Sequence, residues 1–135
     1  MNALAKLRYG SVLLGFGLCL AAPVAANASI FSGTWSVSGT IGNPVAGTIA
    51  PVCKFVTSGS RIAGTCRGPN GVGNASGTFN GRAITFAWRH VATTSIGYTG
   101  VATFKGVLGG DGVIRGTWRS SATPALLGTF TAIRP

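Results

Sequence analysis

Large apolar residues recur along this chain in a fixed company, following glycine and threonine. The unit is seen as Gly33-Thr34-Trp35, Gly39-Thr40-Ile41, Gly47-Thr48-Ile49, Gly64-Thr65-Cys66, Gly77-Thr78-Phe79, Gly116-Thr117-Trp118 and Gly128-Thr129-Phe130. In extended backbone successive side chains point to opposite faces, so the glycine and the large residue share one face while threonine takes the other. A face that alternates small with bulky suits the inside of a tightly curved sheet, where glycine leaves clearance for an aromatic on the next strand.

Turn chemistry divides the pattern into about eight short strands with no helical period. Gly59-Ser60 reads as a two-residue hairpin turn with glycine first, the type II′ arrangement. Counting outward sets Ser58 against Arg61, Phe55 against Gly64, and Cys53 against Cys66. That last pair is non-hydrogen-bonded, with Cα atoms about 4.5 Å apart and within reach of a disulfide. Phe55, Ile62 and both cysteines then share the inner face, leaving Lys54, Arg61 and Thr65 to water. Asn80-Gly81 is a second hairpin signal, which predicts Thr78 against Ala83 and Gly77 against Ile84, with Ile84, Phe86 and Trp88 pointing inward. The turn formers of residues 67–73 make an irregular loop, and residues 93–95 a polar connection to a strand from Tyr98 to about Lys105. Gly109-Gly110-Asp111-Gly112 turns the chain into the strand carrying Ile114, Gly116 and Trp118, and a loop around Pro124 precedes the last strand. Short connections and about eight strands predict an all-β fold, a small eight-stranded antiparallel meander barrel with one hairpin disulfide, Cys53–Cys66; a two-sheet sandwich is the alternative.

The start of the chain has a different character. Lys6 and Arg8 precede an apolar stretch over residues 10–22, and Ala26-Asn27-Ala28 supplies small residues, so residues 1–28 read as a signal peptide cleaved before Ser29. The apolar stretch is too short to span a membrane as a helix. Bulky Phe16 and Leu18 beside Cys19 argue against a lipoprotein signal. Residues 29–135, about 107 in number, make one domain, exported to the periplasm or beyond. In that oxidising compartment the two cysteines left after cleavage favour a bridge, which would contribute roughly 3 kcal/mol through the unfolded state. Strands of a membrane barrel need about nine to eleven residues and an outward apolar band. Eight of them would consume nearly the whole domain, and its outward positions include Lys54, Arg61, Thr117 and Arg119, so no membrane span is expected.

Composition removes most chemistry. The whole chain has eleven Lys and Arg against one acid and one histidine, for a net charge of +10. General acid–base work, glycoside hydrolysis and hard-metal binding need several carboxylates or histidines. Asp111 sits in a glycine turn, where bonding its own backbone is the ordinary role. His90, after Trp88-Arg89 at a strand end, reads as a solvated loop residue. Ser95, His90 and Asp111 have no spacing that suggests a catalytic set. Neither catalytic residues, a metal site nor a cofactor is expected. The basic residues Lys54, Arg61, Arg67, Arg82, Arg89, Lys105, Arg115, Arg119 and Arg134 fall mostly on outer or rim positions, a field that attracts polyanions. The corresponding partners are an anionic envelope component or an acidic protein. Nucleic acid is not expected, because strand parity puts Trp88 and Arg89, like Trp118 and Arg119, on opposite faces.

Gly33-Thr34-Trp35 opening the first strand resembles the Gly-x-Trp signature of the calycin barrels, the lipocalins and avidins. Downstream, Trp88, Thr94-Ser95, Tyr98-Thr99-Gly100, Gly116-Thr117-Trp118-Arg119-Ser120-Ser121 and Gly128-Thr129-Phe130 are loosely similar to avidins. That resemblance implies an eight-stranded barrel. It further implies that Trp88 and Trp118 wall a ligand site with hydroxyls near Thr94 and Ser95. Cys66 stands where avidins carry a binding tyrosine after Gly-Thr, and the last strand lacks their aspartate or asparagine. The stretch Phe31-Ser32-Gly33-Thr34-Trp35-Ser36-Val37-Ser38-Gly39 is also similar to the opening of small periplasmic inhibitors of secreted metalloproteases, likewise one-disulfide barrels. Two kinds of function follow. One is a cavity for a small apolar or amphipathic ligand, walled by Trp35, Trp88 and Trp118 with Thr94, Ser95 and Tyr98 near its mouth. The other is an interaction or inhibitor protein acting through the basic surface and the loops at 67–73 and 93–97.

Overall fold

A computed structural model of the protein describes residues 29–43 and 46–135; the signal peptide expected over 1–28 lies outside the described residues. Strand follows strand: β1 (Gly33–Asn43), β2 (Gly47–Ile49), β3 (Val52–Ser58), β4 (Arg61–Arg67), β5 (Gly71–Asn80), β6 (Ala83–Ala92), β7 (Gly100–Leu108), β8 (Ile114–Ser120) and β9 (Leu127–Ile133). All pairings are antiparallel between neighbours, and β1 pairs with β9 to close the sheet. β2 and β3 lie end to end along the same edge of β1, against its residues 39–41 and 33–36. They act as one stave interrupted at Ala50-Pro51, so the closed barrel has eight staves. Pro51 lacks an N–H for a ladder, but its carbonyl still accepts the Val37 N–H at 2.9 Å, which keeps the break in register.

The first hairpin has the register that its turn dictates, Ser58 opposite Arg61 through to Cys53 opposite Cys66, and the disulfide is formed across a Cα separation of 4.0 Å. The second differs from expectation by two residues. Asn80 pairs with Ala83 and Thr78 with Thr85, so the turn is Gly81-Arg82 and Asn80 belongs to the strand. A type I′ turn over Asn80-Gly81 needs positive φ at both residues, and no described non-glycine residue adopts it. Gly59 and Gly81, with φ of 58° and 57°, instead begin two type II′-like turns. Because the slip is even, Ile84, Phe86 and Trp88 keep the inner face.

The glycines of the repeated unit sit across from bulky inward residues: Gly64 opposite Phe55, Gly77 opposite Phe86, Gly128 opposite Trp118. Their backbones approach so closely that a Cβ on Gly128 would collide with the Thr40 carbonyl oxygen. The middle of the barrel is thereby filled with aromatics. Phe86 stacks on Phe104 at 4.7 Å between centroids, Phe55 meets Phe86 at 5.0 Å, and Phe130 meets Phe104 edge-on at 5.2 Å. Outward threonines pair across strands, as Thr40 does with Thr129 at 3.0 Å. Among the described residues no helix is long and apolar enough to cross a membrane.

Candidate functional site: an apolar cup at one end of the barrel

The phenylalanine layer leaves two unlike ends. At the end that carries the chain start and the hairpin turns at 59–60 and 81–82, Trp35 is 1% exposed. Its Nε1–H donates to the Phe31 carbonyl at 2.9 Å, and the Arg134 guanidinium lies 4.3 Å over its ring. Arg134 in turn donates to the carbonyls of Ser32 and Ile30 at 2.6 and 2.5 Å. A surface hollow of about 490 Å³ lies beside this cap, lined by Ile30, Leu108, Val113 and Arg134, but it is the wider open of the two. Its size does not make it the better site, because the polar atom of its indole is already bonded.

At the opposite end β2, Ala50-Pro51 and the loops following β4, β6 and β8 surround a cup of about 370 Å³. Its wall is mostly apolar, with Ile41, Ile49, Pro51, Ala102, Leu126 and the indoles of Trp88 and Trp118. The cup exists at this end because β2 is only three residues long and pairs with β1 alone, so the short stave leaves room above Pro51. Loop 93–99 is clipped to loop 68–70 through Asn70. The Asn70 carbonyl accepts the Thr93 N–H at 2.9 Å, and its Oδ1 accepts the Thr94 hydroxyl at 3.0 Å.

The polar groups of the cup differ in their commitments. Trp118 Nε1–H donates to the Thr40 carbonyl at 3.0 Å. The Tyr98 hydroxyl pairs with the Ser121 hydroxyl at 2.8 Å, and Ser120 Oγ accepts the N–H groups of Leu126 and Ala122 at 2.9 and 3.3 Å. Trp88 Nε1–H, by contrast, is buried with no hydrogen-bond partner, alone among buried side-chain polar atoms of the described residues. Next to it on the same face of β6, His90 is 9% exposed, with its ring 4.7 Å from Trp88 and 5.1 Å from Tyr98. His90 Nδ1 lies 2.5 Å from the Tyr98 carbonyl oxygen. A carbonyl can only accept, so Nδ1 carries the proton and Nε2 keeps a lone pair in the neutral ring. Burial holds the ring's pKa below its ordinary value of 6.5, against a smaller upward pull from that carbonyl.

The structure thus brings Trp88, Trp118 and Tyr98 together and separates Trp35 from them by the phenylalanine layer. Thr94 and Ser95 are exposed on loop 93–99 and do not line the cup. His90, expected to be a solvated loop residue, is an inward member of β6 and part of the wall. The signal was present, since residues 84, 86, 88 and 90 share one face of a strand. Of the basic residues, Arg115 bonds Asp111 at 2.7 Å, Arg82 reaches the carbonyls of Leu108 and Gly109, and Arg134 caps Trp35. Lys54, Arg61, Arg67, Arg89, Lys105 and Arg119 are exposed on the outer face. Asp111 Oδ1 also accepts the Val113 N–H at 3.1 Å, the turn role expected of it. Among the described residues no three His, Cys, Asp or Glu side chains come together as a metal site. No protein-family model matches the chain, and no curated protein is significantly similar to it.

Proposed function

We propose that this is an exported, non-enzymatic binding protein that holds a small apolar or amphipathic molecule in the cup at the open end of its barrel. One observation carries the reading: Trp88, a wall residue of an open apolar cup, has an indole N–H that is buried without a partner. An unbonded buried donor costs about 1–3 kcal/mol, and a ligand atom that accepts from it recovers that cost on binding. The cup's volume of about 370 Å³ lies at the small end of the range for ligand pockets, roughly 300–1,000 Å³. At about 30 Å³ per heavy atom, the share one water takes in the liquid, it accommodates about twelve. The calycin-like barrel agrees with this reading, and the displaced Trp35 and exposed Thr94 and Ser95 take it away from an avidin-type biotin site.

The test is a titration followed by tryptophan fluorescence with biotin and with medium-chain fatty acids and alcohols. Two of the three tryptophans line the cup, so occupancy shifts their emission. Silence from every ligand sinks the proposal.

A second reading rests on a separate observation. The six outward cations Lys54, Arg61, Arg67, Arg89, Lys105 and Arg119 face solvent with no acidic partner among the described residues. They suit an anionic envelope component or an acidic protein partner. Retention on an acidic polymer well above physiological salt supports a specific polyanion site; elution near it reduces the effect to diffuse charge.

A further inference from the structure

Trp88 and His90 present complementary vacancies. The indole offers a donor without an acceptor. The imidazole, its Nδ1–H committed to the Tyr98 carbonyl, has a second nitrogen with no hydrogen-bond partner among the described residues. They lie two residues apart on one strand face with ring centroids 4.7 Å apart. Two other polar atoms nearby are already paired, Trp118 Nε1 with the Thr40 carbonyl and the Tyr98 hydroxyl with Ser121.

The cup also lacks something the rest of the molecule has in quantity. The chain carries eleven Lys and Arg, yet the lining contains no charged side chain. The outward arginines nearest this end, Arg67, Arg89 and Arg119, point to water from the other face of the sheet. Their field crosses the wall and is screened over about 8 Å at physiological salt. An ionised carboxylate brought inside would lose its hydration to gain one hydrogen bond, from Trp88, while facing the lone pair of His90. Burying a charge without a counter-charge is the costlier effect, so the outer cations attract anions to the surface without drawing them into the cup.

Resting on the ligand-binding reading above, we infer that Trp88 and His90 form a head-group site for an uncharged group that both accepts and donates a hydrogen bond. A hydroxyl or an amide on a short apolar tail meets that description. Its oxygen accepts from Trp88 Nε1–H, its O–H or N–H donates to His90 Nε2, and its tail lies against Ile41, Ile49 and Trp118. The carboxylate of a fatty acid is selected against.

The experiment is calorimetric titration of the exported protein at pH 7.5 with octan-1-ol, octanamide and octanoate, three ligands of one tail length that differ in head group. Octanol and octanamide are expected to bind at least about tenfold more tightly than octanoate, a difference of about 1.4 kcal/mol. Trp88→Phe and His90→Phe keep an aromatic wall and should each erase most of that preference. Equal binding of all three ligands, or tighter binding of octanoate, overturns the head-group assignment and leaves the cup as a ligand site. A preference that survives in both variants places the head group elsewhere and likewise overturns it. Absence of binding by all three overturns the assignment together with the reading on which it rests. Far-ultraviolet circular dichroism and a urea midpoint near that of the parent protein establish that each variant is folded.

Discussion

At the capped end of the barrel, Trp35 has its N–H on the Phe31 carbonyl and its face under Arg134, which itself ties the chain start down through two carbonyls. At the open end, Trp88 is nearly as well buried, but its N–H has no partner and its neighbour His90 keeps a free lone pair. Both indoles arise from the same inward, aromatic positions of a barrel strand. The difference lies in the chain that surrounds them. The segment before β1 and the tail after β9 fold across one end, whereas the described chain at the opposite end is the loops after β4, β6 and β8 and a three-residue stave. Where the protein has completed its own hydrogen bonding, the tryptophan is structural; where it has not, an outside molecule can complete it.

The contrast can be broken most severely through the disulfide. Cys53 and Cys66 stand just inside Pro51 and Gly68, which line the cup. Replacing both cysteines by serine should lower the unfolding free energy by about 3 kcal/mol, read from urea transitions. A loss under about 1 kcal/mol would mean that the barrel does not depend on the bridge. Next in size is one substitution made at each end. Trp35→Phe leaves the Phe31 carbonyl without its donor and weakens the Arg134 contact, at a cost of about 1–2 kcal/mol. Trp88→Phe removes a buried donor that was bonded to nothing, and the relief of about 1–3 kcal/mol offsets the packing lost with the smaller ring, so the ligand-free protein should lose less stability than Trp35→Phe does. If Trp88→Phe proves the costlier of the two, the difference between the ends is not one of hydrogen bonding.

Sequence alone carried the architecture well because the barrel is built from local rules. Glycine-first turns and period-two alternation set the pairing of Cys53 with Cys66 and the inward face of β6. Even the misplaced second turn changed the register by two residues and therefore moved no side chain through the sheet. The site was harder to read, since alternation gives the face of a strand but not its height along the barrel. Height depends on stagger summed around all the staves. For that reason Trp35 was grouped with Trp88 and Trp118 although it occupies the other end. His90 was legible by parity and was missed because a lone histidine after an arginine reads as a loop. The break at Pro51, which creates the cup, shows in sequence only as one proline.

Acid sharpens the comparison, because the ends titrate in different ranges. Burial keeps His90 below its ordinary 6.5, so between that value and its lower folded pKa the unfolded chain takes up a proton that the folded chain refuses. Stability should be complete above about pH 6.5, decline as pH falls toward the folded pKa, and level off below it. Thermal midpoints of His90→Gln should lack this decline, and a variant that keeps it assigns the proton uptake to another group. Ligand binding at the cup should hold through that range and weaken only below it, where the folded ring itself takes up the proton and no longer accepts.

The smallest effect belongs to the capped end. The Arg115 guanidinium beside Asp111, helped by the Val113 N–H, holds that carboxyl down to about 2 from its ordinary 3.8. A depressed carboxylate contributes its stability above the unfolded value and loses it only as pH falls through roughly 4 toward 2. Both side chains of the pair are more than half exposed, at 57% and 53%, so solvent screens most of even that contribution. Asp111→Asn should accordingly lower the thermal midpoint only slightly, and evenly, from pH 5 to 8, and the difference from the parent should close as pH falls from about 4 toward 2. A large shift at neutral pH would show that the turn following β7 is held by this ion pair more than by its backbone bonds, Gly109 N–H to the Val113 carbonyl at 2.9 Å and Gly112 N–H to the Gly109 carbonyl at 3.1 Å. The capped end would then owe its rigidity to charge as well as to the Arg134 clasp on Trp35.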